Sequence, residues 1–152
     1  MILFLHQAGW AIWLGAGLTF MVWGPLARNA PLETWAHTWE TLAKIQRWLV
    51  APGAAVATIT GLILSMQYAQ RGLSMGSLWL IVMQTAGLVA GVLAVAVATP
   101  LANKLAFLAF RSLETGEKDA RVEQVRSRLA LVSSIAGALV IVSLYFAAAK
   151  PA

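Results

Sequence analysis

The 152 residues are 60% hydrophobic and only 11% charged, where a soluble domain carries roughly a quarter of its residues as Asp, Glu, Lys or Arg, so a water-soluble globule is excluded. The net charge of +5 does not mark a nucleic-acid binder, because the basic residues lie in segments between apolar runs, where they suit anionic lipid headgroups. Cysteine is absent, which removes disulfides, thiolate metal sites and redox thiols.

Charge-free runs cover residues 1–27, 48–70, 72–103 and 129–149. Each reaches the roughly 20 residues that a helix needs to cross a hydrocarbon core of about 30 Å. The first run lacks the basic n-region of a cleaved signal peptide and is too long for one, so it reads as a retained helix. The expected fold is an all-α transmembrane four-helix bundle forming one domain, with spans at about 2–26, 48–69, 78–99 and 129–149.

Between the first two spans, Pro31 opens a stretch in which Leu32, Trp35, Trp39, Leu42 and Ile45 recur at a helical period. The pattern predicts a short amphipathic helix along the cytoplasmic surface, leading into the second span. Trp35, Trp39 and Trp48 suit the membrane–water boundary, where an amphipathic ring meets both environments. The third run is longer than a membrane needs. Pro100 marks its inner boundary or a kink, and residues 101–113 continue it as an amphipathic extension. Gly116 reads as a helix stop and Asp119 as the cap of the next helix, which climbs into the fourth span.

The Lys and Arg distribution orients the chain. Nine cations (Arg28, Lys44, Arg47, Lys104, Arg111, Lys118, Arg121, Arg126 and Arg128) fall in the two larger loops, against Arg71 and Lys150 on the other side. The expected location is a bacterial inner membrane, with both termini outside and the larger loops in the cytoplasm.

Small residues supply the packing faces that drive helix association in lipid. They are Gly9, Gly17 and Gly24 on the first span and Ala54, Thr58, Gly61 and Ser65 on the second. The third has Gly87 and Gly91 among alanines at spacing four, and the fourth has Ala130, Ser134 and Ala138. The expected use of the Gly87–Gly91 pair is packing within the chain.

No Asp, Glu, Lys or Arg lies inside a span, which argues against a proton relay or an ion-coupled pump. The titratable group at membrane depth is His6. The helix directions bring Gln84, Ser65, Gln67, Ser143 and Tyr145 to a similar level, and His6, Gly9, Trp10, Trp13, Gly17 and Phe20 follow one helical face. Histidine is the usual axial ligand of haem and a common metal ligand, and methionine thioethers suit Cu(I). The candidate site for haem b or copper is therefore His6 as the metal ligand, with Gln84, Met66, Met83, Trp10 and Trp13 around it; Met1 and Met75 also fall in the outer half. The alternative is a histidine hydrogen-bonded to Gln84 or a serine, or one facing interfacial water. His37 reads as a solvated residue of the surface helix.

The stretch Leu5-His6-Gln7-Ala8-Gly9-Trp10-Ala11-Ile12-Trp13-Leu14-Gly15-Ala16-Gly17 resembles the opening helix of the CopD-like membrane superfamily. Val50-Ala51-Pro52-Gly53 with Thr60-Gly61-Leu62, and Thr99-Pro100-Leu101-Ala102-Asn103, are similar to its second and third helices. That grouping includes the copper-resistance CopD domain, HemJ-type oxidases and uncharacterised membrane families. The resemblance implies a four-helix membrane fold and a haem-ligating role for His6. The HemJ-type members also use a lysine inside a later span, which this chain lacks, so their oxidase activity does not carry over.

Three roles fit these observations. One is a non-catalytic protein holding haem or copper near its outer face. Another is an accessory or structural subunit of a larger respiratory or photosynthetic membrane complex, or of a homo-oligomer, which predicts small-residue faces left exposed. The third is a carrier for a small neutral solute.

Overall fold

The computed structural model describes residues 1–72 and 74–149. Among them all regular structure is helical: α1 (Ile2–Ala27), α2 (Leu32–Ile45), α3 (Ala51–Gln70), α4 (Leu78–Val92), α5 (Thr99–Thr115) and α6 (Ala120–Ala149). Single π turns, Gln46–Val50 and Leu93–Ala98, join α2 to α3 and α4 to α5 without a break. Four rods result, Ile2–Ala27, Leu32–Gln70, Leu78–Thr115 and Ala120–Ala149, each long and apolar enough to cross a membrane. At about 1.5 Å per residue, the 39- and 38-residue rods measure roughly 60 Å, twice a hydrocarbon core, so about half of each extends beyond it. The ends where α1 begins and α6 finishes are here the termini end; α2, α5 and the start of α6 form the extension end.

Both π turns stop just short of a proline, Pro52 after Val50 and Pro100 after Ala98. A proline inside an α-helix lacks its N–H and its ring collides with the carbonyl four residues back. One widened turn lets the ring clear that carbonyl while the rod continues. The turns are tied to each other. Gln46, buried in the first, donates from Nε2 to the Ala94 carbonyl (3.0 Å) in the second and to Thr99 Oγ1 (3.3 Å), while the Thr99 hydroxyl donates to the same carbonyl (3.0 Å). A carbonyl turned aside by the π geometry thus receives side-chain donors, as low-dielectric surroundings require.

The surface helix expected between the first two spans is corrected by this geometry. Residues 32–45 form the first third of one rod, and their apolar stripe packs against α5 and α6 rather than along a membrane surface. Trp35 and Trp39 are therefore core residues, 6% and 3% exposed, and not boundary anchors, whereas Trp48 is 68% exposed. The cause is the matching stripe on α5, where Ala102, Leu105, Leu108 and Ala109 are all buried. Two helical stripes that meet each other outcompete either one lying alone.

The predicted helix ends hold. Gly116 takes φ 75°, the left-handed stop that glycine adopts without strain. The Asp119 carboxylate accepts the Arg121 backbone N–H (2.9 Å), capping α6, and the Arg121 guanidinium pairs with it at 2.7 Å. The Lys118 ammonium donates to the Ala30 carbonyl (3.0 Å) and lies over the Trp35 ring (5.4 Å), tying the α1–α2 turn to the α5–α6 turn.

Within the spans, α1 packs chiefly on α3 and α4 chiefly on α6, with lighter packing between these two pairs. Small residues line the shared core, with Ala54, Ala57 and Ala90 fully buried beside Ala94 and Ala136 and the larger Trp13 and Val140. Gly91 and its alanine neighbours are consumed inside the chain, as the intramolecular packing reading expects. The fourth-span stripe is not: Ala130, Ser134 and Ala138 are exposed, and α6 packs instead through Leu129, Ala136, Val140 and Ser143. Gly17 and Gly24 have no neighbour that a side chain would meet within 4 Å, so Gly9 is the close-packing glycine of α1.

Candidate functional site

The α1–α3 pair is interlocked by residues that the two helices supply to each other. A Cβ on Gly9 would lie 2.8 Å from the Ala57 nitrogen and 2.9 Å from the Gly53 carbonyl oxygen. A Cβ on Gly53 would lie 3.0 Å from the Trp13 nitrogen and 3.1 Å from the Gly9 oxygen. Gly9 and Gly53 therefore mark the crossing point, where backbone touches backbone. One turn nearer the termini end, the His6 ring fills the space left by Gly61, whose Cβ would meet His6 Cε1 at 3.0 Å.

His6 is bonded on both sides of its ring. Nδ1 lies 2.8 Å from the Ala57 carbonyl oxygen and 3.2 Å from Thr60 Oγ1. A carbonyl only accepts, so Nδ1 carries the proton and Nε2 is left as an acceptor. Trp10 fills that role, donating from Nε1 to His6 Nε2 at 3.0 Å. The Thr60 hydroxyl passes its own proton to the Val56 carbonyl. Trp10 then stacks on Trp13, ring centroids 5.0 Å apart and planes 10° apart. This chain of contacts closes the centre of the bundle.

Above the stacked tryptophans a cavity of about 100 Å³ lies between the α1–α3 and α4–α6 pairs. Its depth is that of His6, about 7 Å along α1 from the helix start at 1.5 Å per residue. His6 and Trp10 reach it from α1, Thr58 and Ser65 from α3, Met83 and Gln84 from α4, and Ser143 from α6. Gln84 donates from Nε2 to Ser65 Oγ (2.8 Å), Ser65 donates to the Gly61 carbonyl (2.9 Å), and Ser143 donates to the Leu139 carbonyl (2.9 Å). The layer expected from helix directions is thus assembled from His6, Gln84, Ser65 and Ser143. Gln67 does not line the cavity, and Tyr145 is 62% exposed.

His6 is joined neither to Gln84 nor to a serine. Of its partners, Trp10 follows from helical spacing, but Ala57 and Thr60 were not legible: a backbone carbonyl leaves no mark in a sequence, and a contact spanning more than 50 positions has no periodic signal. Of the methionines, Met83 joins the site, while Met66 points away and is 64% exposed and Met1 is 98% exposed. Trp13 supports the site from below without lining it.

A haem iron or a copper ion needs an uncommitted nitrogen lone pair, and the one on His6 is held by Trp10. No group of three or more His, Cys, Asp or Glu side chains converges among the described residues. A 100 Å³ cavity also lies well below the roughly 300 Å³ at which ligand pockets for larger molecules begin. As arranged, the donor set does not fit either group.

No family model, curated protein or solved structure matches this chain.

At the extension end, His37 is exposed, 3.4 Å from Glu40 and edge-on to Phe110 at 5.7 Å. The shallow depression beside it is lined by Trp23, Glu33, Thr34 and Thr41 and has no convergent donor set. Lys150, one of the two cations counted for the termini end, lies outside the described residues.

Proposed function

We propose that this chain is a non-catalytic, multi-pass membrane protein of CopD-like type that serves as an accessory subunit, packing the free side of α1 against another membrane protein. The observation that carries the reading is Gly15. It is exposed in mid-span, and a Cβ there would meet nothing within 4 Å. Glycine in a helix interior costs about 1 kcal/mol relative to alanine, and no contact inside the chain offsets that here. Gln7 and Ala11 precede Gly15 at spacing four, both exposed, and Gln7 makes no hydrogen bond among the described residues. A carboxamide facing hydrocarbon is unfavourable until a second helix bonds it, and small residues at spacing four let that helix come close. On α6 the exposed Ala130, Ser134 and Ala138 form a similar face, and Gly137 beside it also has no neighbour within 4 Å.

The cation distribution supports placing the extension end in the cytoplasm and both termini outside. The pairing of His6 with Thr60 and Gly61, and of Gly9 with Gly53, supports reading the CopD-like motifs as a helix-pair interlock.

The test uses the intact chain in its native membrane. A photo-cross-linking side chain at Ala11 or Gly15 is expected to give one defined adduct, abolished by an added Gly15→Leu or Ala11→Leu change respectively. The same side chain at Ile59, an exposed position on α3, is expected to give none. Gly15→Leu has room within the chain, so a loss of adduct reports the partner and not the fold. An adduct of twice the chain's own mass identifies a homo-oligomer and replaces the accessory reading. Equal labelling at all three positions, with a monomer on native gels, overturns it.

A further inference from the structure

Independently of any partner, the cavity at the termini end has the chemistry of a small binding site. We propose that it takes a single uncharged, hydroxyl-bearing group of phenol size or smaller, which donates its proton to Gln84 Oε1. The hydrogen-bond network decides the polarity. The Ser65 proton is committed to the Gly61 carbonyl, so Ser65 Oγ accepts from Gln84 and the amide orientation follows: Nε2 faces Ser65. Gln84 Oε1 is then left without a donor among the described residues. Ser143 has likewise given its proton to a backbone carbonyl and presents only lone pairs. His6 has no capacity left in its neutral form. The Thr58 hydroxyl in the same wall is buried and has no hydrogen-bond partner among the described residues. Free lone pairs on Gln84 Oε1 and Ser143 Oγ stand beside two free protons, the second on Gln84 Nε2 and the one on Thr58 Oγ1, so the matching ligand is a hydroxyl, which donates to the one kind and accepts from the other.

Charge and size narrow the class. No charged side chain among the described residues lines the cavity, so a cation or anion would enter hydrocarbon depth unpaired, which is strongly unfavourable. An apolar cavity of about 150 Å³ holds benzene, so about 100 Å³ takes the hydroxyl and the near part of a ring of that size, and the far edge with any para substituent projects through the open side; a shorter alcohol fits whole. The rest of the lining suits an apolar body: the Trp10 ring, Met83 and, at the rim, the exposed Leu62, Leu88 and Leu144. Apolar rim residues facing lipid favour a ligand that reaches the site through the membrane, either as a free phenol or alcohol or as the hydroxyl end of a lipid.

The test is ¹⁹F NMR of the purified chain in detergent micelles, titrated with 4-fluorophenol and, separately, with fluorobenzene. Saturable binding of 4-fluorophenol at one site is expected, about tenfold or more tighter than fluorobenzene, because only the phenol satisfies Gln84 Oε1. Gln84→Leu is expected to weaken 4-fluorophenol by a similar factor and to leave fluorobenzene unchanged. Gly87→Ala provides the check on folding. Its new methyl would stand 3.7 Å from Ser143 Oγ and 4.0 Å from the Trp10 ring, ordinary contact distances, so it narrows the cavity without strain. It is expected to weaken binding while thermal stability stays equal or rises. Binding that emerges only after exhaustive delipidation assigns the resident group to a lipid hydroxyl; binding without that step assigns it to a free molecule. Unsaturable partitioning that is the same in wild type and both variants, or fluorobenzene binding as tightly as 4-fluorophenol, overturns the proposal.

Discussion

Replacing Gly9 by alanine tests the claim that α1 is held to α3 by backbone contact at a single crossing. The new methyl would stand 2.8 Å from the Ala57 nitrogen and 2.9 Å from the Gly53 oxygen, both backbone atoms that no rotamer change can move. Relief requires the helices to separate by roughly half an ångström, enough to forfeit about a quarter of the dispersion energy along the contact. The hydrogen bond from His6 to the Ala57 carbonyl, 2.8 Å long and one turn away, stretches with it. Overpacking of this kind costs about 1–3 kcal/mol, and the better helix propensity of alanine returns at most about 1 kcal/mol. The expected net loss is about 1–2 kcal/mol. Gly15→Ala is the control: it meets nothing within 4 Å and is expected to be neutral or slightly stabilising in the isolated chain. Reversible unfolding in mixed micelles, followed by tryptophan fluorescence, measures both. A Gly9→Ala protein within about 0.5 kcal/mol of wild type, or a Gly15→Ala protein equally damaged, would refute the crossing as the source of cohesion.

Three more outcomes are expected. Gly91→Ala drives its methyl into Thr58 Oγ1 and should destabilise by about 1–3 kcal/mol, with Thr58→Ala restoring much of the loss in a double-mutant cycle; independent, additive effects would show that the two residues do not share that space. Gln46→Leu should lose only about 1 kcal/mol, because the Ala94 carbonyl keeps its bond from Thr99 Oγ1, whereas adding Thr99→Val strips that carbonyl of both side-chain donors and should cost more than the two single changes summed. Simple additivity in the same unfolding assay would remove the latch between the π turns. The third concerns pH. The Arg121 side chain, and then its backbone N–H, hold the Asp119 carboxyl at about 2, below its ordinary 3.8. The unfolded chain binds that proton first, so the stability that Asp119 adds is complete above about pH 4 and is lost as the pH falls through about 2. The pair lies at the surface, with Asp119 half-buried and Arg121 exposed, so solvent screening keeps the effect small. The stability gap between wild type and Asp119→Asn should close across that window, and a gap independent of pH would contradict the pairing.

Legibility in the sequence followed the range of the interaction. Gly116, Asp119 and Pro31 were readable because a helix end is decided within a few neighbouring residues. The depth of Gln84, Ser65 and Ser143 was readable too, since a helix of known direction converts residue number into height. Rotation about each helix axis was not. Met66 and Met83 sit at similar heights, yet one faces out and the other lines the cavity. The same ambiguity hid the α3 partners of His6 and the exposure of Ala130, Ser134 and Ala138, which share the small-residue spacing of the buried Ala90 and Ala94.

The sequence by itself determined four helices long and apolar enough to cross a membrane, because charge-free runs near the length of a bilayer suit no aqueous surface. Only the tertiary structure decided which faces of those helices meet. In lipid every apolar face is equally well solvated, so the choice rests on shape: Gly9 against Gly53, His6 over Gly61, and Thr58 in the space beside Gly91. Beyond the spans, the stripe on α2 had two places to go, a membrane surface or another stripe. The three-dimensional match with α5 settled it.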